Sequence, residues 1–121
     1  MTSVFALLMA LASSERVPIA FWRSGDDGLS SRFYEAVDRA LQSSSLVRPA
    51  DADDLPAYVL HAETNVRPLN EASGSFIYKI SLLKGPDIRS EVLARFEGTC
   101  TEALDRCAER VVAQTVALVG S

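Results

Sequence analysis

Three side chains in this sequence have types suited to chemistry: Cys100 and Cys107, the only cysteines, and His61, the only histidine. Thiol redox centres of the thioredoxin kind place C-x-x-C at a helix start, where the helix dipole lowers a thiolate pKa. The spacing here is C-x6-C in 97-EGTCTEALDRCAERVV-112. A structural zinc site wants about four soft ligands, and Cys100, Cys107 and His61 supply three, so a carboxylate or water would have to complete it. A disulfide depends on where the helix begins. Inside a regular helix seven residues separate the Cα atoms by roughly 10 Å, beyond the roughly 7 Å limit for a bridge. If the helix starts at Thr101 or later, the chain leaving the preceding strand can fold back and a bond becomes feasible. Cys100 and Cys107 are therefore the candidate disulfide, with reduced core thiols and a metal or redox site as the competing readings.

His61 is the one ordinary candidate for a general base near neutral pH. No nucleophile accompanies it in a recognisable elbow pattern, and it falls on the polar side of a strand-like run, where solvation is the commoner role. Gly25-Asp26-Asp27-Gly28 lies between a strand and a helix, the position of phosphate-binding loops. It matches neither G-x-G-x-x-G nor the P-loop, and its carboxylates oppose an anion; a turn with Asp27 or a neighbouring serine capping the helix is the reading. Asp51, Asp53 and Asp54 lack the glycine and distal glutamate of a calcium loop and read as a solvated loop. No catalytic residue, cofactor or metal ligand is assigned.

The elements that must position these residues fit one domain. A chain of 121 residues, 48% hydrophobic and 23% charged, is large enough for a single core. The formal charge of -4 repels nucleic acid and anionic lipid. Helix, three strands and helix is also the order of double-stranded RNA-binding domains, but the last helix offers Glu102, Asp105 and Glu109 against Arg106 and Arg110 only, so no nucleic-acid partner is expected. Residues 4-VFALLMALA-12 are too short an apolar run to span a bilayer and end in a small-x-small pattern. Residues 1–12 read as a signal peptide, although no Lys or Arg precedes the run; the other reading is an N-terminal apolar core segment. No cysteine follows Ala12-Ser13-Ser14 to carry lipid. The remaining residues, 13–121, form the domain, periplasmic or secreted if the leader is removed and otherwise cytoplasmic, with no membrane insertion of the mature chain.

Periodicity supplies the architecture. The run 17-VPIAFW-22 is a strand, and Leu29, Phe33, Val37 and Leu41 recur every four residues as one stripe of a helix ending near 42-QSSS-45. A brief edge strand at residues 46–48 is stopped by Pro49. Period-two alternation then marks strands at 57–69, 75–85 and 90–98. In Thr99-x-x-Glu102 the sequence offers a capping box for a second helix, whose stripe is Leu104, Cys107, Ala108, Val111, Thr115 and Leu118. The expected fold is α+β, a two-layer sandwich in the order β-α-β-β-β-α, with a mainly antiparallel sheet and both helices on one face. The other face, carrying His61, Glu63, Arg67, Lys79, Glu91, Arg95 and Glu97, should meet water.

The strand 17-VPIAFW-22, the helix, the phrase 51-DADDLPAYVLHAE-63, the meander and the final helix together resemble the small periplasmic domains typified by the TolB amino-terminal domain and related envelope accessory proteins. The likeness is one of element order, without a signature motif. It implies a non-enzymatic, protein-binding accessory module that meets another envelope protein through an exposed sheet face or edge strand; the alternation makes His61, Glu63, Arg67, Lys79 and Arg95 the candidate partner-facing residues. The alternative is a small-ligand binder or enzyme with a pocket between sheet and helices, using His61 or the cysteines.

Overall fold

The structure, a computed structural model, describes residues 16–70 and 72–120. The leader expected at residues 1–12 lies outside them. Eight elements follow in order: β1 (Val17–Arg23), α1 (Gly28–Ser43), β2 (Val47–Pro49), β3 (Tyr58–Ala62), β4 (Arg67–Asn70), β5 (Ser75–Lys84), β6 (Glu91–Cys100) and α2 (Leu104–Val119). The class is α+β, with two helices and one open six-stranded sheet in the order β2-β1-β3-β5, β5 also pairing with β4 and β6.

Helix α1 forms where the four-residue spacing places it. Asp27 caps it, the side chain accepting the Ser30 N–H at 2.7 Å and so satisfying a donor that the first turn leaves free. Phe33, Val37 and Leu41 are fully buried. They meet Cys107, Ala108 and Val111 of α2 and Leu60, Phe76, Ile80 and Leu82 of the sheet in one core. Phe33 is its centre, with ring centroids 5.1 Å from Phe76 and 5.2 Å from Tyr78. An exposed ion pair, Arg39 with Asp105 at 3.0 Å, links the two helices.

Four expectations need correction. The sheet is mixed rather than mainly antiparallel: β1 runs parallel to both β2 and β3. Period-two alternation is the same in either direction; the direction is set by the helical connection, which carries the chain back to the end from which β1 started. The strand expected at 57–69 is two strands, β3 and β4, both on one edge of β5, because residues 63–66 leave the ladder to bond with the start of α1. The capping box is not formed. Thr99 and Cys100 still belong to β6, and α2 starts at Leu104 after Ala103, which gives no side-chain cap; Glu102 pairs with Arg110 instead. Finally, Leu118, placed on the buried stripe of α2, is 45% exposed, and Val112 is buried in addition to the residues nearer the helix start.

Candidate functional site on the open sheet face

The site is built by strand register. Trp22 of β1 lies opposite His61 of β3, His61 opposite Ser81 of β5, and Ser81 opposite Arg95 of β6. Directly opposed residues share a face, so these four form one row across four strands, on the side away from buried Leu60 and Leu82. The next row pairs Lys79 with Glu97, and the one after joins Arg67, Ile77 and Thr99. Lys79 Nζ stands 3.9 Å from Glu97 Oε1, and both side chains are exposed. His61, expected to meet water, is instead largely covered in the row between Trp22 and Ser81, with Nδ1 3.6 Å from Glu63 Oε1. Arg95 is exposed and forms no ion pair among the described residues.

The break between β3 and β4 shapes this face. Residues 63–66 step out of the sheet toward α1, and bonds from three of them, Thr64, Asn65 and Val66, hold them there. The Tyr34 hydroxyl donates to Thr64 O at 2.5 Å, the Val66 N–H donates to Ser30 Oγ at 2.9 Å, and the Asn65 amide donates to Asp26 Oδ1 at 2.8 Å. Burial raises the Tyr34 phenol above its ordinary pKa, so it stays a donor. Beside the step two shallow hollows open. One of about 310 Å³ is lined by His61, Glu63, Lys79, Ser81, Arg95 and Glu97; the other, of about 390 Å³, includes Thr64, Arg67, Ile77 and Lys79. The structure thus brings His61, Glu63, Arg67, Lys79 and Arg95 together on one stretch of surface. Trp22, 46% exposed at the end of the first row, and Ser81 at its centre were not singled out from sequence, because cross-strand register cannot be read from one strand. The same face is not polar throughout: Val59 and Leu83, an opposed pair, are both buried, as the apolar positions in its own alternation allow.

The cysteines are joined. Their Cα atoms lie 5.8 Å apart, and both residues are buried. Because β6 continues to Cys100 and α2 begins only at Leu104, Cys107 on the first helical turn is within reach, which was the condition for a bridge. The bond leaves neither sulfur as a nucleophile. His61 makes no hydrogen bond to Ser81, its nearest hydroxyl in register, and faces Glu63 instead. Among the described residues no group of three His, Cys, Asp or Glu is arranged as metal ligands. A larger hollow, about 640 Å³, lies elsewhere, between Ala36, Ala40 and Leu46 on one side and Val112 and Val116 on the other. It includes neither His61 nor the cysteines.

The acidic loop is more ordered than a solvated one. Asp54 receives both Nη atoms of Arg48, at 2.7 and 3.2 Å, and also accepts the Asp51 N–H at 2.7 Å. The guanidinium, first, and that backbone donor hold its pKa down to about 2. The Asp26–Asp27 loop caps α1, as expected, and anchors Asn65 in addition.

With the geometry in place, the chain can be set beside known proteins. Its sequence matches no protein-family model and no curated protein. Among solved structures it superposes on TolB from Acinetobacter baumannii with a TM-score of 0.60 at 15% identity, covering 88% of this chain and 29% of TolB. It also superposes on XCC0632 from Xanthomonas campestris, of family model DUF330, with a TM-score of 0.64 at 12% identity, covering 87% of this chain and 86% of that one. The fold resembles those of TolB and XCC0632. At these identities the likeness is one of architecture, and the chain spans under a third of TolB. Among the described residues no helix is long and apolar enough to cross a membrane.

Proposed function

We propose that this chain is a non-enzymatic accessory module of the bacterial envelope that docks another envelope protein on the open face of its sheet. The observation that carries this reading is the row Trp22, His61, Ser81 and Arg95 with Lys79 and Glu97 beside it, a broad and shallow surface of mixed charge headed by an exposed tryptophan. Protein partners are commonly met by an aromatic and an arginine amid polar groups, each charge placed to suit an opposite one. The likeness to TolB supports an envelope setting, and a buried disulfide suits an oxidising compartment. Residues 1–12 are then a leader removed on export, giving a periplasmic or secreted domain.

A photo-crosslinking residue at Ser81 in the native host tests the site. One dominant protein adduct is expected, lost when Arg67→Glu and Lys79→Glu reverse the local charge and kept when Glu109 on α2 is changed to Lys. Adducts indifferent to the sheet-face reversal, or formed equally from Glu109, would overturn the reading. The mass of the mature protein with and without reductant tests the compartment. A chain retaining Met1 with two free thiols would contradict it.

A further inference from the structure

Strand β6 is ten residues long, pairs with β5 along one edge, and has no strand on its other edge among the described residues. Long unpaired edges invite another strand, and proteins guard them with bulges, prolines or charges pointing inward. The sheet's opposite edge, β2, is guarded: it is three residues long and ends in Pro49. β6 is guarded only at its start, where the register shift between Leu82 and Leu83 makes Leu93 an extra residue. From Ala94 to Cys100 it is regular and contains no proline. Near the bulge Ile88, Val92 and Leu93 are 40 to 46% exposed.

The side chains on this regular stretch are complementary to themselves. Arg95 and Glu97 point to the open face, and Phe96 between them points to the core. Let a second copy of β6 run antiparallel beside the first, about a twofold axis through Phe96. Arg95 then faces the second copy's Glu97, Glu97 faces the second copy's Arg95, and Ala94 faces the second copy's Gly98. An axis through Arg95 or Glu97 would instead set like charges against each other. An axis through Leu93 would cross the bulge. The charges also continue the existing ladder: Lys79 opposes Glu97 within one copy, and Ser81 opposes Arg95.

We propose that the chain pairs with a second copy of itself through β6, in the register that places Arg95 opposite Glu97, to give one continuous twelve-stranded sheet with the helices of both copies on the same side. Main-chain hydrogen bonds supply the attraction and the two Arg–Glu pairs fix the register. This inference does not rest on the partner proposed above, whose test uses other positions.

Sedimentation velocity on the purified mature chain over a concentration series, compared with three variants, decides it. The wild type is expected to dimerise. Arg95→Glu and Glu97→Arg each place two like-charged pairs across the axis and should each weaken the dimer about tenfold or more. Mixing these two variants restores opposite charges at both pairs, so the equimolar mixture should dimerise while each component alone does not; the double variant R95E/E97R should dimerise by itself. Both side chains are exposed, and equal thermal melts would show that the fold is kept. A wild type that stays monomeric to hundreds of micromolar, or a dimer that neither single variant weakens, overturns the proposal. A mixture that fails to reassociate overturns the register.

Discussion

Asn65 and Asp26 exchange two hydrogen bonds across 39 residues of chain: the Asn65 amide donates to Asp26 Oδ1 at 2.8 Å, and its carbonyl oxygen accepts the Asp26 N–H at 3.0 Å. This reciprocal pair holds the step between β3 and β4 against the start of α1, and so opens the hollows beside Lys79. Gly25 makes the approach possible, since a Cβ there would stand 2.9 Å from Asn65 Oδ1 and 3.1 Å from the Tyr34 ring.

The deeper anchor of that step is Ser30, which is fully buried and accepts the Val66 N–H at 2.9 Å. Ser30→Ala would leave a buried donor without a partner, and we expect a loss of about 1–3 kcal/mol in urea unfolding. Asn65→Ala acts at an exposed pair and should cost less, about 1 kcal/mol. Equal costs for the two variants would show that burial is not what separates them.

A second close approach sits across β5 and β6. Gly98 opposes Tyr78, and a Cβ at Gly98 would fall 2.6 Å from the Tyr78 hydroxyl and 2.8 Å from Cζ. The Tyr78 ring is packed on Phe33 and cannot withdraw without disturbing the core. Gly98→Ala should therefore destabilise by about 1–3 kcal/mol despite adding a single methyl group. In a Tyr78→Leu background the same change should cost less, and the double-mutant cycle measures that coupling. Additive costs would mean that the ring is not the obstacle.

What the sequence disclosed and what it hid follow from the range of the interactions. Helix α1 was legible because Leu29, Phe33, Val37 and Leu41 and the cap at Asp27 all lie within the helix's own span. The cysteine pair was legible once the helix start was placed, since seven residues separate the two. The break at residues 63–66 was not, because its cause lies at Asp26, Ser30 and Tyr34, on another element. The parallel run of β1 beside β3 was hidden for a similar reason, alternation being blind to direction. His61, Arg67, Lys79 and Arg95 were placed on one sheet face by alternation, whereas Glu63, read from the same alternation, lies past the end of β3 in the step beside that face. The arrangement of those four in rows with Trp22 and Ser81 required a register that no single strand contains. The capping box misled because Thr99 and Glu102 have the right spacing but Thr99 remains in β6.

The disulfide should matter for stability more than its short loop suggests at first sight. Closing eight residues removes enough freedom from the unfolded chain to stabilise the fold by about 2.5 kcal/mol on the chain-entropy estimate. Replacing both cysteines by alanine should lower the urea midpoint accordingly, without changing the far-UV circular dichroism of the folded state. Both sites are buried, so the paired alanines also lose some packing, and reduction of the wild type isolates the bond itself. If reductant leaves the unfolding midpoint unmoved, the bond does not form in solution.

The Arg48–Asp54 fork gives a pH signature whose sign can be worked out. Asp54 titrates near 2 when folded, against an ordinary value of 3.8, chiefly because the Arg48 guanidinium bonds to its ionised form. A carboxyl with a depressed folded pKa contributes stability that is present above the unfolded value and is lost as pH falls through the folded one. The contribution of this pair should thus be complete above pH 3.8 and fade toward pH 2. Carboxyl-carbon NMR should give Asp54 a midpoint near 2, and Arg48→Ala should move it up toward the ordinary value. In parallel, the difference in urea midpoint between wild type and Arg48→Ala should be constant from neutral pH down to about 4 and shrink below it. A difference that persists unchanged at pH 2 would mean that Arg48 acts through its packing and its bond to the Pro49 carbonyl rather than through Asp54.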